Sequence, residues 1–178
     1  MYILINGKKR VGKNYVSEMI AKELHSYGRT SEIMAYADPI KDILEITFKI
    51  SPSELDTYKN KAAHVIIDGY ICSNFRNIIQ NFGTEAMKKH FGENVWVDLL
   101  KAKAEKSKAD YIIISDFRFI SEYIPGSITI KVLNNDLNTG DTHKSENELN
   151  DFKFHYIIDN TSYQDISSDI KDIVTMIL

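Results

Sequence analysis

YILINGKKRVGKNYVSEMI, residues 2–20, decides how the rest of the chain is read. Its first four residues, YILI, are apolar and read as a short strand buried on both faces. From Lys13 onward Val16, Met19, Ile20, Leu24 and Tyr27 recur at helical spacing, and Gly28 supplies a stop. Between strand and helix lies Gly7-x4-Gly12-Lys13. Glycines at that spacing let successive backbone N–H groups turn inward, the helix start adds partial positive charge, and the lysine reaches outer phosphates. The stretch Gly7, Lys8, Lys9, Arg10, Val11, Gly12, Lys13, Asn14 and Tyr15 therefore reads as a phosphate loop with its helix start. The bland alternative for its basic residues is a solvated charge run. The usual loop follows its lysine with Ser or Thr to meet a metal, whereas this chain has Asn14, whose amide oxygen is a poorer ligand.

Four further apolar runs read as strands: EIMAYA at 32–37, YIII at 111–114, ITIKV at 128–132 and FHYIID at 154–159. Helical patterns lie between them. One runs from Asp38-Pro39 to about Phe48, and a second starts at the Ser51-Pro52-Ser53-Glu54 cap. A third covers 73–91 with an interruption near Gly83, a fourth runs from Trp96 to Ala104, and the last runs from Ile166 to Ile177. Five short runs alternating with helices make a parallel sheet covered by helices the economical fold.

At 178 residues the chain suits one domain. Its net charge of -3 argues against a nucleic-acid coat, so no stable DNA or RNA partner is expected. The single cysteine, Cys72, excludes an internal disulfide and a thiolate zinc cluster, which suits a reducing, cytoplasmic setting. No apolar run approaches the roughly 20 residues needed to cross a bilayer, so no membrane is expected. Asn160-Thr161-Ser162 matches a glycosylation acceptor or, equally, a turn or cap.

Asp116 stands at the carboxyl end of the YIII strand, where it reads as a metal-facing carboxylate or as the cap of the next turn. Arg76 and Arg118 are two of only four arginines; each reads as a bidentate phosphate ligand or a structural ion pair. Trp96 reads as a core or cleft wall before a base-stacking platform. The polar segment 134–146, with His143, Lys144 and Glu146, reads as a lid.

Beyond the phosphate loop, several blocks occur in order: Asp38-Pro39-Ile40-Lys41, Arg76-x3-Gln80-x2-Gly83-Thr84-Glu85, Trp96-Val97, Ser115-Asp116-x-Arg118 and Thr142-His143-x2-Glu146. With them the chain resembles the bacteriophage-type deoxynucleoside monophosphate kinases. The resemblance implies a P-loop kinase-like three-layer α/β sandwich, with a mainly parallel five-stranded sheet flanked by helices. It also implies transfer of the terminal phosphoryl of ATP, with Mg²⁺, to a deoxynucleoside 5'-monophosphate. On that reading residues 7–15 hold ATP, and Lys13, Arg10 and Arg118 neutralise the transferring group. Asp116 and Asn14 attend the metal, while Asp38, Lys41, Arg76, Gln80, Gly83, Thr84, Trp96 and Arg118 form the acceptor site within a helical region of about 39–108. The resemblance implies a cytoplasmic protein of a virus-infected cell, with homodimerisation left open. Two departures stand out, because the family has aspartate where this chain has Asn14 and often threonine where it has Tyr15. A phosphomevalonate-kinase-like enzyme and a noncatalytic nucleotide-binding protein remain as alternatives.

Overall fold

The apolar opening residues form β1 (Tyr2–Asn6), with Ile3, Leu4 and Ile5 fully buried. The structure, a computed structural model, describes residues 1–60, 65–67, 69–72, 75–136, 148–163 and 165–178. The other strands are β2 (Ser31–Met34), β3 (Val65–Ile67), β4 (Tyr70–Cys72), β5 (Tyr111–Ile114), β6 (Ile128–Leu133) and β7 (Tyr156–Asp159). The helices are α1 (Lys13–Ser26), α2 (Asp38–Phe48), α3 (Pro52–Asn60), α4 (Phe75–Asn81), α5 (Lys89–Phe91), α6 (Val95–Ala104) and α7 (Ser167–Ile177). They pack as two units, one of Met1–Tyr36 with Leu100–Leu178 and one of Ala37–Leu99.

The first unit is built on a five-stranded sheet of order β2-β5-β1-β6-β7, in which every neighbouring pair is parallel. Register follows from the period of two along each strand. Ile3 pairs with Ile113 and Ile5 with Ile130, so these side chains share one face. Val16, Ile20 and Leu24 of α1 and Ile170, Ile173, Val174 and Ile177 of α7 bury themselves in the same core. Each such side chain contributes about 1.5–3 kcal/mol on leaving water. All four residues of β5 are buried, which requires cover on both faces. The result is an α/β fold with a parallel five-stranded sheet flanked by helices.

Two strands are shorter than their apolar runs. The run at 32–37 leaves the sheet after Met34, because the Tyr36 N–H bonds to the Asp116 side chain (2.8 Å) instead of a neighbouring strand. The run at 154–159 is a strand only from Tyr156; just before it the His155 N–H donates to the Thr129 carbonyl (3.0 Å), and side-chain bonds of 2.8 Å and 3.1 Å join the same two residues.

In the second unit, Pro39 sits in the first turn of α2 and Lys41 pairs with Asp38 at 2.8 Å. Glu54 accepts from both the N–H and hydroxyl of Ser51 (2.7 Å each), closing the start of α3. The antiparallel hairpin β3–β4, turning through Gly69, has no counterpart among the expected strands. After α4 the chain winds as a π-helix over Phe82–Lys88, which accounts for the interrupted helical pattern near Gly83. There the Gly83 carbonyl accepts the indole N–H of Trp96 at 2.9 Å.

Candidate functional site

The loop between β1 and α1 is glycine-dependent at both ends. A Cβ on Gly7 would lie 2.6 Å from the Val132 carbonyl oxygen and 2.7 Å from the Val11 side chain, so no larger residue fits. Gly12 has a φ of 96°, and its Cβ would fall on the side-chain amide of Asn160. Between the glycines Val11 plugs into the core at 3% exposure, while Lys8 and Arg10 face solvent and Lys9 is half-buried. No side chain caps α1, and its first turn holds no acidic residue. The first N–H groups of a helix have no partner within it, so this end favours an anion. The Lys13 ammonium reaches back across the loop, donating to the carbonyls of Gly7 (2.7 Å) and Lys8 (2.8 Å). Asn14 and Tyr15 are exposed in the first turn of the helix.

Asp116 stands beside this loop. Asn6, the residue before Gly7, donates its side-chain amide to the Phe117 carbonyl (2.8 Å), and the Phe117 N–H bonds to the Ile5 carbonyl (3.1 Å). The carboxyl ends of two adjacent strands are thereby clamped together, and this is where open parallel sheets bind ligands. One Asp116 oxygen accepts the Tyr36 N–H at 2.8 Å. Beyond it, the buried carboxyl group of Glu122 accepts the N–H groups of Arg118 (2.7 Å) and Phe119 (3.0 Å). The Tyr36 hydroxyl donates to the Glu122 carbonyl at 2.6 Å. Burial first, then the Glu122 and Asp116 carboxylates, push the Tyr36 phenol well above its ordinary range, so it stays protonated and donating.

The structure thus gathers residues 7–15, Asp116 and Arg118 into the first unit. Asp38, Lys41, Arg76, Gln80, Gly83, Thr84 and Trp96 belong to the second. Lys41 is ion-paired with Asp38, and Trp96 is a core residue at 4% exposure rather than a stacking platform. The side chains of Arg76, Gln80 and Thr84, and all of His143, Lys144 and Glu146, lie outside what the structure describes.

Sequence reasoning missed Asn6, Tyr36, Glu122 and Asn160 as parts of this site. Asn160 is buried at 5% exposure and donates its side-chain amide to the Val11 carbonyl at 3.0 Å. Its partner is 149 positions away, beyond the reach of any local pattern.

No family model matches the chain, nor does any curated protein. Among solved structures, cobyrinic acid a,c-diamide synthase from Mycobacterium smegmatis with bound ADP and magnesium superposes with a TM-score of 0.46 at 16% identity, covering 98% of this chain and 80% of that one. The same synthase with a bound ATP analogue and magnesium gives a TM-score of 0.45 at 15% identity, covering 98% and 81%. The expected deoxynucleoside monophosphate kinase, with its bacteriophage-like setting, does not hold: both solved structures described above are of a diamide synthase. The physical reason is that a phosphate loop and a nearby aspartate specify a nucleotide's phosphates and leave the reaction partner open. Of the residues that implied the partner, the side chains of Arg76, Gln80 and Thr84 lie outside the described residues, Lys41 is ion-paired with Asp38, and Trp96 is a core residue. Among the described residues no helix is long and apolar enough to cross a membrane.

Proposed function

We propose that the first unit binds ATP with Mg²⁺ on residues 7–15 and that the protein is an enzyme using the energy of the terminal phosphoryl group. The observation that carries this is the loop itself: two positions with no room for a Cβ, an uncapped helix start, and a lysine ammonium spanning the turn. Those are the parts needed to seat a polyphosphate through backbone N–H groups.

Among the described residues no three His, Cys, Asp or Glu side chains gather in a way that could hold a metal by themselves. That fits Mg²⁺ in a nucleotide site, which keeps waters and takes most ligands from phosphate, with one or two protein groups. Asp116 and Asn14 are the groups that would attend it. Bound there, the ion would supply charge neutralisation on the phosphate oxygens.

The chain's own contribution is positioning and charge. Lys13 exchanges its loop carbonyls for phosphate oxygens, Arg10 and Arg118 supply further positive charge, and Gly7 and Gly12 let the backbone approach. No side-chain nucleophile is needed, because the attacking oxygen comes from water or from a second substrate.

Two measurements test the reading: equilibrium titration with a non-hydrolysable Mg·ATP analogue and phosphate release from ATP. Saturable binding and turnover by the wild type are expected. Lys13→Ala should weaken binding about tenfold or more, the worth of hydrogen bonds to a charged group. Absent binding, or binding that Lys13→Ala leaves unchanged, contradicts the proposal.

A further inference from the structure

Asn160 is immobilised against the loop after β1. Its backbone N–H donates to the Leu133 carbonyl (2.8 Å), its own carbonyl accepts the Asn134 side-chain amide (2.9 Å), and its side-chain amide donates to the Val11 carbonyl (3.0 Å). The neighbouring turns reinforce it. The Asn135 N–H bonds to the Thr161 hydroxyl at 2.9 Å, and Asp136 accepts the Ser162 N–H at 2.7 Å. Asn160 is thus held by the ends of β6 and β7 while it holds the loop after β1.

The consequence lies in the planarity of one peptide group. The described residues contain no cis peptide bond, so the Val11 carbonyl and the Gly12 N–H point in opposite directions. Pinning the carbonyl toward the buried Asn160 turns the Gly12 N–H away from the interior. Among the described residues that N–H makes no hydrogen bond. Gly12 independently shows the same fit, because a Cβ there would occupy the space of the Asn160 amide.

We infer that Asn160 is a positioning residue for phosphate binding, locking the Val11–Gly12 peptide in the orientation that presents the Gly12 N–H to a polyphosphate. The inference rests on the proposed ATP site and adds what sets its geometry. An aspartate would put an acceptor against the Val11 carbonyl, and an alanine would leave that carbonyl unanchored. Either way the peptide loses its preference.

The test is a titration of a non-hydrolysable Mg·ATP analogue into the full-length wild type and Asn160→Ala, followed by calorimetry and by the Gly12 amide signal in a ¹H–¹⁵N spectrum. In the wild type the Gly12 signal should shift on binding. In Asn160→Ala affinity should fall about tenfold, as for loss of one well-placed donor, and the Gly12 shift should shrink. A purely structural role would lower the melting temperature while leaving affinity and the Gly12 shift intact, and that result overturns the inference. So does equal binding by the two proteins, which would leave the ATP site itself standing. A wild type that does not bind the analogue overturns both. Should Asn160→Ala fail to fold, Asn134→Ala, which removes the bond to the Asn160 carbonyl, carries the test: it should weaken binding and reduce the Gly12 shift, and unchanged values count against the inference.

Discussion

Two loops leave the carboxyl ends of adjacent strands and use their backbone N–H groups in opposite ways. After β1, residues 7–12 anchor carbonyls, with Val11 held by Asn160 and Gly7 and Lys8 by the Lys13 ammonium, and lead into a helix that no side chain caps. After β5, residues 115–122 turn N–H groups onto a buried carboxyl group, with Arg118 and Phe119 both donating to Glu122. A loop that ties down its carbonyls presents donors and suits an anion. One that ties its donors to an internal acid is poor at binding an anion through its backbone, and what it offers is the Asp116 carboxylate, suited to a cation. On the proposed function, the same end of one sheet would be divided into a phosphate half and a metal half.

The largest expected effect comes from spoiling the first loop where it has no slack. Gly7→Ala drives a methyl group into the Val132 carbonyl and Val11, and should cost about 3 kcal/mol in denaturant unfolding while abolishing nucleotide binding. A variant as stable as the wild type would mean that the close approach at Gly7 does not constrain the loop. Next comes the second loop. Glu122→Ala leaves the Arg118 and Phe119 N–H groups without their acceptor and should cost about 2 kcal/mol. Its sharper signature is selective: the Mg²⁺ concentration needed for turnover should rise, while affinity for metal-free ATP holds. Equal damage to both would erase the division into halves.

The smallest effect belongs to the phenol that steadies the second loop. Tyr36→Phe removes one buried hydrogen bond and should cost about 1 kcal/mol at neutral pH. The pH dependence has a definite sign. Folding raises the Tyr36 pKa above its unfolded value of 10.0, so its contribution is fully present below that value and is lost as pH climbs from there toward the higher folded value. Wild-type stability should therefore fall more steeply than that of Tyr36→Phe above pH 10.0, and parallel curves would remove Tyr36 from the account.

What could be read in advance follows from the range of the forces involved. All five strands of the main sheet overlap apolar runs, and in the central β1 and β5 burial on both faces leaves a local signature in composition. The glycines and lysine of the loop after β1 are equally local, lying within seven residues. The hairpin over Val65–Cys72 escaped because each strand has three residues, too few to show a period. Asn160 and Tyr36 escaped because their work is done on partners far along the chain, at separations of 149 and 86 residues. Glu122 acts locally, but a carboxylate four residues from an arginine looks like an ordinary surface charge until its burial is known. The reaction partner was over-read for a related reason. Short blocks such as Arg76-x3-Gln80 carry no geometry by themselves, and the phosphate loop beside them is shared by many chemistries.

The central claim, that the loop after β1 is a seat for a polyphosphate, is tested most directly by a crystal structure with a bound Mg·ATP analogue. The account predicts phosphate oxygens within hydrogen-bonding distance of the Gly12 N–H and the Lys13 ammonium, with the metal on the Asp116 side. A bound analogue whose phosphates lie elsewhere, with residues 7–13 still closed on their own lysine, would contradict it.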